Sequence, residues 1–338
     1  MANLFDNDKL MTLLEPSEFP DANDVMDSRI LEQKGESVVT EIQPDTLDAQ
    51  LKGDTHFVQV ANHTLPVLSS KEYRLLPTII ALSAVFPSFR RPKVNVIERE
   101  AVGVYDGHLL TYESGHPLNV YDEEIVMAIF QLFSEQQLPL NNKIIKIKLS
   151  DLTRFIGKSH GGKNNAWLLS RLKVLRGATF SLTSMDMDPN ADRGSVLTFT
   201  ILSYLSVENG YVYLALDSKW AELFATFPIA LIYSTTRIML HSAHARVLHR
   251  IFSSSNKSVQ VLSESRLIKL LGWCGTRKRD FWAAVKKGSD ELIEKEVVKS
   301  YRMYKSQRGE TLISYTLDLN KLKPGMSGLK FNKDIDQD

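Results

Sequence analysis

Apolar residues recur along the chain with two periods, and the switches between them predict the elements. Ile144, Ile145, Ile147 and Leu149 read as a short strand. Ser150 follows as an N-cap, and Leu152, Phe155 and Ile156 form one face of a helix that Gly157 ends. After a polar turn, Lys158 to Gly162, a second helix is predicted from Lys163 to Gly177. Its buried side is Leu168, Leu169, Leu172 and Leu175. Its other side is Lys163, Ala166, Ser170, Lys173 and Gly177, flanked by Arg171 and Arg176. That row is small or basic. A helix entering a DNA groove needs small residues for close approach and cations for phosphates. Thr179–Ser184 and Ser195–Ser203 alternate like a hairpin across an acidic loop, and are read as the wing of a winged helix-turn-helix.

Upstream, Leu75–Ser83 is apolar and fits a helix or a buried strand. Strands are predicted at Val102–Tyr105 and Leu109–Tyr112, with Asp106–Gly107 as a two-residue hairpin turn between them. A long amphipathic helix is expected from Asp122 to Gln136, opened by Asn119 or Tyr121. Asp122, Glu123 and Glu124 favour its N-terminus through the helix dipole. Tyr211–Leu216 alternates as a strand, Asp217 or Ser218 caps a helix at Lys219–Thr226, and residues 227–240 read as a link.

The order then repeats. Ala243–Phe252 is a helix, and Val259 and Val261 a short strand. Ser263 caps Glu264–Leu271, which Gly272 ends. Thr276 caps a long helix from Arg277, and Ser300–Lys305 with Thr311–Leu317 form a hairpin. The fold class is therefore α+β: two tandem winged helix-turn-helix domains, an extra β-hairpin layer before the first, and a weakly structured acidic N-terminal arm. The expected limits are 1–56 for the arm, 57–225 and 226–320 for the domains, and 321–338 for a polar tail.

Charge sharpens this picture. The 338 residues carry a net +1, but residues 1–60 hold 13 acids against 4 bases, net −9. Ser150–Ala178 carries +5 and Arg266–Arg308 +7. The basic charge falls on a helix-turn-helix pattern twice, which points to nucleic acid. The single cysteine, Cys274, fits a reducing cytoplasm. No apolar run approaches the roughly 20 residues that span a bilayer, and the N-terminus lacks a signal-peptide core.

Candidate chemistry is sparse. Gly157–Lys158–Ser159 lacks the first glycine of a phosphate-binding loop, since Leu152 stands there. His241, His244 and His249 have no carboxylate or cysteine to complete a metal site. Asp186, Asp188 and Asp192 lack the glycine and final glutamate of a calcium loop. Two histidines separated by one apolar residue, as a nicking enzyme would use, do not occur. Trp167 and Trp282 are expected to pack rather than stack on bases. No catalytic residue, metal or cofactor is expected.

Several runs resemble the iteron-binding initiators of plasmid replication, of the TrfA type. They are Leu75–Leu76–Pro77 with Ala84–Val85–Phe86, the run Leu110–Thr111–Tyr112–Glu113–Ser114–Gly115, and Leu118 to Ile125. Leu149–Ser150–Asp151–Leu152 and Asn165–Leu175 continue the likeness, which covers roughly residues 70–320. The resemblance implies a cytoplasmic bacterial protein that binds direct repeats in double-stranded origin DNA and helps to open the origin. It also implies a monomer–dimer equilibrium and recruitment of a host replication initiator and replicative helicase. A transcription repressor built from the same domains is the alternative. The expected DNA-contacting residues are Lys158, Lys163, Asn164, Asn165, Ala166, Ser170, Arg171 and Lys173 in the first domain. In the second they are Arg277, Lys278, Arg279, Lys286 and Lys287, with Arg302, Lys305 and Arg308 on the wing. Asn can pair bidentately with adenine, whereas Lys mostly contacts phosphate.

Overall fold

A computed structural model describes residues 57–58, 65–68, 72–89, 96–136, 138, 140, 143–159, 161–184 and 196–325. The acidic arm through residue 56 and the acidic loop at Met185–Arg193 lie outside the described residues. The fold is α+β.

The chain opens with β1 (Phe57–Val58) and β2 (Val67–Leu68), which pair with each other. Next come β3 (Tyr73–Pro77) and a four-residue helix, α1 (Thr78–Ala81), so the ambiguous apolar run is strand first and helix second. β4 (Ile97–Tyr105) and β5 (His108–Gly115) form the expected hairpin. Asp106 and Gly107 both have positive φ (48° and 66°), as a tight two-residue turn requires.

The central helix is α2 (Val120–Glu135). Asn119 caps it, accepting from Tyr121 N at 2.8 Å, while Asp122 accepts from Asn119 N at 2.8 Å. Ile125, Val126, Met127, Ile129, Phe130 and Phe133 are all buried, so this helix is covered nearly all round.

β6 (Ile145–Lys148) leads into α3 (Leu149–Phe155) and α4 (Gly162–Arg176). Ser150 is not the cap: it lies inside the first turn of α3, which starts after Lys148 without a side-chain cap. Gly157 does end the unit in the left-handed region, with φ 78°. Leu168, Leu172 and Leu175 of α4 are buried as expected.

The first wing differs from the reading. β7 (Thr179–Ser184) and β8 (Val196–Thr200) pair, but β7 also pairs with β5, giving a four-stranded sheet β4-β5-β7-β8. The wing is the next hairpin, β9 (Leu202–Glu208) and β10 (Tyr211–Leu216), and β10 pairs with β6. Alternation predicted both hairpins' strands in part, but it does not encode which partner a strand finds.

α5 (Lys219–Thr226) and β11 (Ile229–Tyr233) follow. The segment read as a link is structural: β11 pairs along its length with β3, Ile229 opposite Pro77 and Tyr233 opposite Tyr73. Ala230, Leu231 and Ile232 belong to the first hydrophobic core, and Leu240 to the second. The chain changes core across α6 (Ser234–Met239).

The second core is built by α7 (Ala243–Ser253), β12 (Val259–Ser263), α8 (Glu264–Leu271), α9 (Lys278–Glu294), β13 (Val298–Lys305) and β14 (Thr311–Leu317). Ser263 caps α8 and Gly272 ends it with φ 70°, as expected. α9 instead starts after Arg277, with no side-chain cap from Thr276. Phe281, Val285, Gly288, Ser289 and Leu292 form its buried face at helical spacing. A Cβ on Gly288 would stand 2.9 Å from Ala245 N, so glycine permits the close crossing of α9 and α7.

The sheet order β12-β14-β13 matches β6-β10-β9. The element order helix, strand, helix, helix, hairpin thus occurs twice, with β7 and β8 inserted in the first copy. α10 (Leu319–Leu322) closes the described chain. Residues 321–325 are not a frayed tail: Leu322 is buried, and Lys323 Nζ donates to Asn256 Oδ1 at 2.7 Å and to Ser255 O at 3.2 Å. Burial pushes the Lys323 ammonium down to about 8.

Candidate nucleic-acid interface

In each repeat the second helix of the helix-turn-helix presents a cationic face. On α4, Lys163, Ala166, Lys173, Arg176 and Gly177 are exposed, while Leu168, Leu172 and Leu175 of the opposite face are buried and Leu169, expected with them, is half-buried. Ser170 is half-buried, and its hydroxyl donates to Trp167 O at 2.7 Å. The side is short and positive at its start and end, as the sequence implied. Asn164 donates to Ser159 O at 2.8 Å, and Asn165 Oδ1 accepts from Thr153 at 3.0 Å. Both asparagines therefore help to fix the turn between α3 and α4.

Two of the expected contacts point elsewhere. Arg171 forks onto Asp122: Nε to Oδ1 and Nη2 to Oδ2, both at 2.6 Å. The buried carboxylate outweighs the desolvation of the guanidinium and holds it in the charged form. Arg171 is a tie between α4 and the start of α2. Lys158 lies with Nζ 4.6 Å from the Trp167 ring centre and 5.8 Å from that of Tyr121. Burial and the nearby Arg246 lower its pKa. Trp167 packs on the first core and Trp282 on the second.

On α9, Arg279, Ala283, Lys286 and Lys287 are exposed, Arg279 at 94% of its side chain. Arg277 is exposed at the N-cap. Lys278 reaches Glu264 at 2.8 Å, bracing the start of α9 against α8. On the wing, Arg302 lies over Tyr304 at 5.4 Å, and Lys305 Nζ donates to Thr311 Oγ1 at 2.8 Å. Arg308 is exposed in the wing turn.

The first wing adds residues that the sequence reading passed over. Lys146 Nζ lies 4.5 Å from the Tyr211 ring centre and 5.4 Å from that of Tyr213, and Lys148 Nζ lies 6.0 Å from Tyr211. The signal was present: Ile145–Lys146–Ile147–Lys148 alternates, which puts both lysines on one face of the strand.

Behind this surface, α2 fastens the two repeats. Glu123 Oε2 meets Arg250 Nη1 at 2.6 Å, and Glu123 Oε1 lies 3.0 Å from Arg237 Nη2. Glu124 receives Arg237 at 2.5 Å, Arg74 at 3.2 Å and Arg246 at 3.5 Å. Burial raises the Glu124 carboxyl, but Arg237, Arg246 and Arg74 together hold it below the usual range. Further guanidinium donors go to carbonyls, Arg250 to Phe86 O at 3.1 Å and Ser83 O at 3.2 Å and Arg74 to Phe155 O at 3.1 Å, while Arg74 Nε and Arg250 Nε are buried without a hydrogen-bond partner.

The three histidines do not converge. Among the described residues no group of three or more His, Cys, Asp or Glu could hold a metal ion. His244 Nδ1 lies 2.8 Å from Ser88 Oγ, and His249 is fully buried in α7. Among the described residues no helix is long and apolar enough to cross a membrane.

No protein-family model matches the chain, and no curated protein matches it. Among solved structures, a selenomethionine derivative of domains 2 and 3 of RctB is similar, with a TM-score of 0.50 and 15% identity. It covers 72% of this chain and 99% of that one. A second crystal structure of RctB domains 2–3 has a TM-score of 0.47 and 13% identity, covering 72% and 98%. At this identity the likeness is one of fold.

Proposed function

We propose that the chain is a sequence-specific double-stranded DNA-binding protein that initiates plasmid replication. It binds direct repeats at an origin, helps to open the adjacent duplex and recruits host replication proteins, with no catalytic chemistry of its own. The observation that carries this reading is the repeated pair of exposed faces. Lys163, Ala166 and Lys173 are exposed on α4 and Arg279, Ala283 and Lys286 on α9, so each helix carries a small residue among cations on its exposed face. The fold shared with domains 2 and 3 of RctB is compatible with this reading. α4 and α9 lie in successive major-groove segments, and the two wings contact backbone.

An origin assay tests it. A plasmid carrying the repeats that this protein protects in a footprint should replicate only when the protein is supplied. Protection and promoter silencing without replication would instead establish the repressor reading.

A further inference from the structure

The two repeats can be aligned by strand register alone. Lys148, the last residue of β6, stands opposite Tyr211 of β10; Ser263, the last of β12, stands opposite Leu312 of β14. Counting onward, Ser150 of α3 occupies the place of Ser265 in α8, and Asn209 the place of Glu310.

These matched places differ in charge. In the second repeat, the Glu310 carboxylate reaches across from the wing and accepts from Ser265 Oγ at 2.7 Å and Ser265 N at 3.2 Å. The protein's own anion fills the angle between helix and wing. In the first repeat the neutral Asn209 stands there, and the angle is an open cleft lined by Lys148, Ser150, Asn165, Asn209 and Tyr211. Lys146 and Lys148 flank its Tyr211 wall. Asn165 lines the cleft too, and its amide carries two N–H donors beside the oxygen that lies 3.0 Å from Thr153 Oγ1. Two acids border the cleft: Asp151 accepts from Ser150 Oγ at 3.5 Å and lies 3.4 Å from Arg154, and Glu208 accepts from Asn209 Nδ2 at 3.5 Å.

We propose that the first cleft seats one backbone phosphate of bound duplex DNA, and that Glu310 occupies the equivalent seat in the second repeat. This rests on the DNA-binding reading above. A phosphate needs what the first cleft offers: a lysine, a hydroxyl and amide donors at one concave place. At the second, a carboxylate already takes the serine donors and repels phosphate. The two repeats therefore grip DNA unequally, the first through helix and wing base together, the second through α9 and the wing strand.

The test uses the full chain and a 30-base-pair duplex of mixed sequence, with affinity measured from about 50 to 200 mM salt. Lys148→Ala should weaken binding and lower the salt slope by about one, so that its affinity falls about three-fold less than the wild type's across that range. Glu310→Ala should tighten binding and raise the slope by about one, as the vacated seat takes a phosphate. Thermal melting of both variants, with Lys148→Gln as a second removal of the charge, separates these effects from misfolding. If the wild type binds with a normal salt dependence while Lys148→Ala, Lys148→Gln and Glu310→Ala keep its slope, the seat is wrong. A wild type that binds no duplex at all overturns the DNA-binding reading itself.

Discussion

Glu123 of α2 and Arg250 of α7 meet at 2.6 Å with neither side chain exposed. They stand 127 residues apart in sequence. α2 supplies residues to the first core, and α7 to the second. The contact therefore joins the two repeats through buried charge, and it fixes the spacing of α4 relative to α9. Removing water from two charges is costly, and the pair is sustained by the carbonyls of Phe86 and Ser83 that accept from the same guanidinium.

Breaking that joint should cost far more than a surface ion pair. Glu123→Gln leaves Arg250 with an uncompensated buried charge, while Arg237 keeps Glu124, and the loss should be about 3–5 kcal/mol. Urea unfolding monitored by tryptophan fluorescence reads it directly. A loss below about 1 kcal/mol, as for exposed pairs, would mean the cluster is hydrated in solution.

Arg171 and Lys173 should part company. Arg171→Ala strands the buried Asp122 carboxylate, so the variant should lose about 1.5–3 kcal/mol of stability. Lys173→Ala should leave stability within about 0.5 kcal/mol and weaken binding to all DNA sequences alike, lowering the salt slope by about one. Paired melting and salt titrations check both. A stable Arg171→Ala with a reduced salt slope would return Arg171 to the DNA surface.

Stability should fall in acid through the histidines of α7. Burial, with Arg237, holds His249 down to about 3, and burial, with Lys287, holds His244 down to about 4. The unfolded chain takes up both protons near pH 6.5 while the folded chain does not, so unfolding becomes easier as pH drops from about 6.5 towards 4. The His249 contribution continues towards pH 3. Denaturant midpoints measured across that window should flatten in His249→Leu, if that variant folds, and in His244→Gln.

In the second repeat, Arg279→Ala should lose about 1–3 kcal/mol at one or two base pairs if Arg279 reads guanine, leaving the remainder of the site unchanged. A binding-site selection against wild type checks this. A uniform loss over all positions would make Arg279 a backbone contact.

Much of this architecture was legible in local signals. Asp106–Gly107, Ser263 with Gly272, and the leucine stripe of α4 each specify their element within a few residues. What escaped depends on distant partners. Ile229–Tyr233 looked like a link because its partner strand, Tyr73–Pro77, lies far upstream in the chain. Thr179–Ser184 looked like a wing because alternation shows a strand's faces and not its neighbour. Asp122, Glu123 and Glu124 read only as charges that favour the helix start, because Arg171, Arg237 and Arg250 are remote in sequence. Of the candidate surface, the exposed cations of α4 and α9 were visible in the periodicity. The lysines of β6 were hidden inside a strand read only for its isoleucines.

The central claim is that the Ala166 face of α4 enters a DNA groove. Ala166 is exposed, and the leucines that anchor α4 lie on the opposite side, so Ala166→Glu should fold with an unchanged melting temperature. It adds bulk and negative charge where the groove must close on the helix. Measured by footprinting and anisotropy on the protected repeats, this variant should lose sequence-specific binding altogether. Wild-type affinity and an unchanged footprint in a folded Ala166→Glu protein would contradict the account.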